Sequence, residues 1–197
     1  MSTKVISPKA VASYPHLDKP QVAEEGQTPK YSIALLFTPE LLKDPAEKAR
    51  FAAMKAAVLT AAEEKWPGKS ADMLKKKMLR LPFREDWEAK DYPEGTVFCN
   101  VRSTQPPAVV YAHAGPDGKP ARMPVEQIKD EVYAGAIVRA SLSAFGYDKA
   151  GNRGIAFGLN NIQKLGEGDR IDGRAAAEDE FDVDLSAAPA NLEDLLS

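Results

Sequence analysis

The chain has 197 residues, 44% of them hydrophobic and 28% charged, which fits one domain of moderate size with or without an appendage. No run reaches the 18 apolar residues of a membrane helix, and the first residues lack the apolar core of a secretory signal. A single cysteine, Cys99, excludes an intramolecular disulfide; with only His16 and His113 beside it, neither a metal centre nor a cofactor is expected, and a cytosolic setting fits.

The net charge of −3 averages two unlike regions. Seven of the 29 acids, Glu178, Asp179, Glu180, Asp182, Asp184, Glu193 and Asp194, follow Arg174, and no Lys or Arg does. Residues 1–174 therefore hold 26 bases against 22 acids, a net of +4. A mildly basic body with an acidic tail points to a polyanion ligand or a regulated interaction, although a tail kept for solubility has the same composition. The expected organisation is a domain over 1–174 and an acidic, disordered tail over 175–197.

In chain order, residues 4–17 mix β-formers with Pro8 and Pro15 and predict an irregular or edge strand. After a polar loop at 24–29, the apolar run 30–38 predicts a well-buried strand. A helical insertion over about 40–80 follows. Asp44 is its cap, Pro45 its first residue and Glu47 the acid of a capping box. Phe51, Met54, Val58, Ala62 and Trp66 give the helix one apolar face, and Pro67-Gly68 ends it. Ser70 caps a second helix carrying Met73, Leu74, Met78 and Leu79, which stops before Pro82.

Beyond a loop at 82–92, strands are expected at 96–103, 108–112, 133–147 and 154–164, with turns at 115–118 and 148–151. Five or six strands around one helical insertion make a mainly β, barrel-like inventory without βαβ alternation.

The strand faces carry the functional signal. In 133–147 the even positions, from Ala134 to Ala144, are small or apolar and predict a core face. The odd positions set Tyr133, Phe145 and Tyr147 around Arg139 and two serines. In 96–103, Val97, Cys99 and Val101 face in while Phe98, Asn100 and Arg102 face out. Rings interleaved with cations on one sheet face suit single-stranded nucleic acid: bases stack on the rings and Arg or Lys neutralises phosphate. The same rings equally suit packing under the helical insertion.

Other features are weaker. Lys75, Lys76 and Lys77 with Arg80 read first as a solvated helix face, and Asn160 and Asn161 as a bulge or turn. Glu85, Asp86, Glu88 and Asp91 read as surface rather than as a Mg²⁺ site, and no nucleophile–base constellation stands out. An enzyme is not expected.

Tyr31-Ser-Ile-Ala-Leu-Leu-Phe37, Phe98-Cys-Asn-Val-Arg-Ser103, Tyr133-Ala-Gly-Ala-Ile-Val-Arg-Ala-Ser141 and above all Gly154-Ile-Ala-Phe-Gly-Leu-Asn-Asn-Ile-Gln-Lys-Leu165, with Gly173-Arg174 and Ala177-Glu-Asp-Glu-Phe181, resemble a bacteriophage single-stranded DNA-binding protein family. The resemblance spans about residues 5–181. It implies an OB-fold, a five-stranded Greek-key barrel with the helical insertion, that binds single-stranded DNA irrespective of sequence in the host cytoplasm. It also implies that the acidic tail recruits replication and recombination partners. The tail departs from several such proteins in ending Asn191-Leu-Glu-Asp-Leu-Leu-Ser197, without a terminal aromatic.

On this reading Phe98, Tyr133, Phe145 and Tyr147 stack bases, with Asn100 beside them, while Arg102, Arg139, Arg153 and Lys164 hold phosphates. The rival readings are a protein-interaction module using the aromatic face and a DNA-binding protein that also takes duplex. A homodimer is compatible with the sequence, which shows no seam for one.

Overall fold

Two segments pair along their whole length: Tyr31 lies opposite Ser103 and Phe37 opposite Val97. These are β3 (Lys30–Phe37) and β4 (Val97–Ser103) in a computed structural model that describes residues 3–22 and 25–171. The remaining strands are β1 (Lys4–Ile6), β2 (Ala10–Gln21), β5 (Ala108–Ala114), β6 (Pro120–Arg122), β7 (Ile137–Lys149) and β8 (Asn152–Gly166). Among the described residues three α-helices join them: α1 (Pro45–Lys65), α2 (Ser70–Lys75) and α3 (Val125–Glu131). The architecture is mainly β, as expected.

The strands run β1-β7-β2-β3-β4-β8-β5-β6, and β7 pairs with β8 as well. That second pairing closes β2, β3, β4, β8 and β7 into a ring, leaving edges only on the short additions at either side. Within the ring β4 and β8 are parallel and the other pairs antiparallel. The longest hairpin, β7–β8, turns through Ala150 and Gly151, both at positive φ, the geometry that matches the natural twist of two strands.

Inside the ring lie Ile33, Leu35, Phe37, Cys99, Val101, Val138, Leu142, Ile155, Phe157 and Ile162, so the expected core faces of 96–103 and 133–147 are the observed ones. Met54, Ala57, Val58, Ala61 and Ala62 of α1 join this core. An aromatic chain ties insertion to ring, with Phe51 5.3 Å from Phe37 and 5.4 Å from Phe83, and Phe83 5.8 Å from Phe157.

Asp44 caps α1 by accepting from the Ala46 N–H at 2.8 Å. Glu47 does not close a capping box. Its carboxylate is buried, accepting from the Lys9 N–H at 2.8 Å and from the Arg139 guanidinium.

The second helix is shorter than expected, because Lys77 adopts positive φ and residues 79–84 run on extended between β8 and β4. Ser70 starts that helix but bonds to Glu63 rather than capping. In β2 the predicted irregularity is a register shift around Tyr14 and Pro15. β6 and α3 carry no strong pattern in the sequence. No helix of the described residues is long and apolar enough to cross a membrane.

Candidate nucleic-acid interface

The outer face of the ring is half covered and half open. On the covered half, Tyr92 reaches back from the 84–95 segment, its hydroxyl 3.0 Å from Ser13 Oγ and its ring edge-on to Phe98 at 5.2 Å. Beneath it lie Val11, Ala34, Leu36 and Phe98 as a small second core. Phe98 points away from the main core, as its position in the alternation requires, yet it is 1% exposed. Its expected role in stacking bases is thereby corrected: the alternation fixes the direction of the side chain, but the segment leading into β4 folds back and covers it.

The open half is a groove of about 430 Å³ lined by Lys30, Asn100, Arg102, Ser103, Thr104, Phe145, Ala156 and Phe157. Asn100 and Arg102 alternate outward on β4, with Arg102 in register with Gly158 of the parallel β8. Phe145 is 49% exposed and leans over Gly158. The outward residues of β8 here are Gly154, Ala156 and Gly158, so the floor between Phe145 and Arg102 is shallow and lets a planar group approach the backbone. Local sequence pattern does not mark Lys30 as a site residue. The register supplies the signal, since Ser32 lies opposite Arg102 and Lys30 is two residues along the same face.

The other expected residues are placed differently. Tyr147 is half-buried, its hydroxyl over Gly154, where an added Cβ would sit 2.7 Å from that oxygen. Arg153, at the end of the hairpin, donates from Nε to Asp148 at 2.8 Å in an exposed pair. Both flank the groove without lining it.

Arg139 does not present a free guanidinium to a phosphate. Its guanidinium is committed to the buried Glu47, and its Nε has no hydrogen-bond partner among the described residues. Lys164 is likewise corrected. It is 7% exposed and donates to Glu131 at 2.6 Å and to Glu167. Burial pulls its pKa down, but the hydrogen bonds and charges of the two glutamates outweigh that and raise it, so the ammonium stays charged and internally satisfied.

Tyr133 precedes β7 and lines a separate depression of about 970 Å³ with Tyr14, His16, Tyr92 and Arg170, not the groove of Phe145. Its hydroxyl lies 2.8 Å from both a Glu167 carboxylate oxygen and the Gly168 carbonyl, and the Arg170 guanidinium covers its ring at 4.4 Å. It anchors the segment leading to residue 171 instead of presenting a free face. The seven acids of the tail lie outside the described residues. Among the described residues no group of His, Cys, Asp and Glu comes together that suits a metal ion, and Asp86 is paired with Arg84.

The fold of this five-stranded ring recurs in solved structures of mainly β proteins. The single-stranded DNA-binding protein from bacteriophage Enc34, in complex with ssDNA, has the same fold, with a TM-score of 0.66 at 21% identity over 86% of this chain and 89% of that one. The protein gp2.5, a single-stranded DNA-binding protein encoded by bacteriophage T7, is similar with a TM-score of 0.55 at 15% identity over 95% and 98%. No curated protein matches by sequence. Residues 3–194 match the model of the Enterobacter phage Enc34 ssDNA-binding protein family, and the chain belongs to that family.

Proposed function

We propose that this chain is a non-enzymatic, sequence-independent single-stranded DNA-binding protein of a phage, acting in replication and recombination in the host cytoplasm. One observation carries the reading: in a member of this family, the open half of the ring sets an exposed ring, Phe145, across a shallow floor from Arg102, Asn100 and Lys30. Unpaired bases offer π-faces, and each base stacked on an aromatic is worth about 1–3 kcal/mol. Arg102 and Lys30 neutralise backbone phosphates, and the counterions released favour binding. Neither interaction reads a base edge, so the binding is indifferent to sequence.

The connectivity supports the finer reading as an OB barrel. Around the ring the strands come in the order first, second, third, fifth and fourth, with the third and fifth parallel. In such barrels the face of the second and third strands and the loop joining the fourth and fifth take oligonucleotides. Those are β3 with β4, and the β7–β8 hairpin that holds Phe145, Tyr147 and Arg153.

The tail acids at 178–194 form the partner-recruiting part of this proposal, supported by the charge split between tail and body.

The test is oligo(dT) binding by Phe145→Ala and Arg102→Ala. The first loses about 1–3 kcal/mol of binding. The second weakens binding and flattens the dependence of log K on log salt by about one unit. Wild-type affinity and salt slope in both variants would remove the groove from the account.

A further inference from the structure

Parallel β4 and β8 meet at Arg102 and Gly158 and separate toward their starts. The gap is filled by residues 79–84, which bond to both strands. The Arg80 N–H donates to the Arg153 carbonyl at 3.0 Å, and the Ile155 N–H donates to Arg80 at 2.9 Å. At the other end, Arg84 and Phe98 exchange main-chain bonds of 2.8 and 2.9 Å. Leu79 is buried and Phe83 packs between Phe51 and Phe157, so this wedge is fastened from the inside.

Its two arginines are exposed. The Arg84 guanidinium lies 5.1 Å over Phe98, the outward neighbour of Asn100 on β4. The main chain of Arg80 lies against Gly154, under the Tyr147 hydroxyl.

We infer that the wedge 79–84 continues the single-strand track beyond the groove, with Arg84 and Arg80 as its phosphate contacts and Tyr147 beside them. This rests on the proposed function above, and its occupant is the same nucleic-acid strand, running from Lys30 and Arg102 past Asn100 and Phe145 onto the wedge. Charge complementarity and continuity with the groove argue for that occupant. Arg84 is paired with the exposed Asp86, so DNA competes with a carboxylate for this guanidinium. The insertion between β3 and β4 then has two roles, closing the barrel inside and lengthening the DNA site outside.

The experiment compares oligo(dT) of about 3 nucleotides, which spans little more than the groove, with one of about 30 nucleotides. The wedge is held by main-chain bonds, so Arg80→Gln/Arg84→Gln keeps the fold, checked by circular dichroism. That variant should bind the long oligonucleotide about 5- to 20-fold more weakly, with a salt slope about two units shallower, and bind the short one as wild type does. Asp86→Asn, which frees Arg84, should tighten long-oligonucleotide binding at low salt; unchanged or weaker binding contradicts the inference. Wild-type binding by the double variant, with Arg102→Ala weakened, overturns the wedge and leaves the groove standing. Equal loss on both lengths also overturns it, because it places these arginines inside the groove. If Arg102→Ala and Phe145→Ala bind as wild type too, the DNA-binding reading falls with it.

Discussion

Arg139 holds its guanidinium against a carboxylate, Glu47, that is only 5% exposed, so removing either side chain strands the other's charge in a poorly solvated place. Breaking a pair of this kind costs about 3 kcal/mol. Arg139→Ala should therefore lower the denaturation midpoint while the folded protein keeps its oligo(dT) affinity; weakened binding with unchanged stability would restore it as a DNA ligand. Phe98→Ala, which opens a cavity under Tyr92, should cost about 3–5 kcal/mol in denaturant unfolding, again without a direct effect on binding.

Cys99, buried in the ring, has its thiol pKa pushed up to about 12 by desolvation. The native thiol should resist a disulfide reagent at neutral pH and react once the chain is unfolded. The raised value means that the unfolded chain loses this proton first. Its share of stability is thus intact below about pH 9 and declines as the pH rises from there toward 12.

Among the elements, β7 and β8 show most clearly what the sequence discloses. Alternation along 138–144 is legible because a period of two has one core-facing solution, and the residues between Asp148 and Gly151 announce their turn. It says nothing of what covers the outer face. Phe145 stays open because its cross-strand neighbours are glycine and alanine, whereas Phe98 on β4 is roofed by Tyr92 and Arg84. Arg139 looks like a free cation in sequence because its partner Glu47 is 92 residues away; of the two partners of Lys164, Glu167 is three residues on but Glu131 is 33 residues away. The expected second helix stops at Lys75, since Leu79 and Phe83 are drawn into the core and the edges of β4 and β8 offer hydrogen bonds a helix would have to forgo.

The same tertiary logic holds the end of the described chain. Glu167 has its pKa lowered by hydrogen bonds from Lys164 and Tyr133, so its contribution is present above about pH 4.5 and lost as the pH falls below it. Acid should release residues 167–171 before the ring, visible as early loss of amide protection at Gly168 and Ile171.

At the scale of the whole molecule, the body of net +4 and the tail of −7 are sequence facts that bear directly on binding. By simple electrostatics, a tail of that charge is expected to compete with DNA for the basic groove. A chain ending at Arg174 should bind oligo(dT) more tightly than the full chain at low salt, and the difference should shrink as salt screens it. Equal affinities at low salt would contradict that competition. The ring that makes the groove was legible only as an inventory of strands, because the β7–β8 closure and the wedge between β4 and β8 depend on long-range pairing that no local pattern encodes.

The most direct test of the central claim is a fluorescence titration of the full chain and of Phe145→Ala with oligo(dT) and with duplex of equal length, at two salt concentrations. The account predicts salt-sensitive oligo(dT) binding that exceeds duplex binding and is weakened in the variant. Equal affinity for duplex, or oligo(dT) binding indifferent to both salt and Phe145, would contradict it.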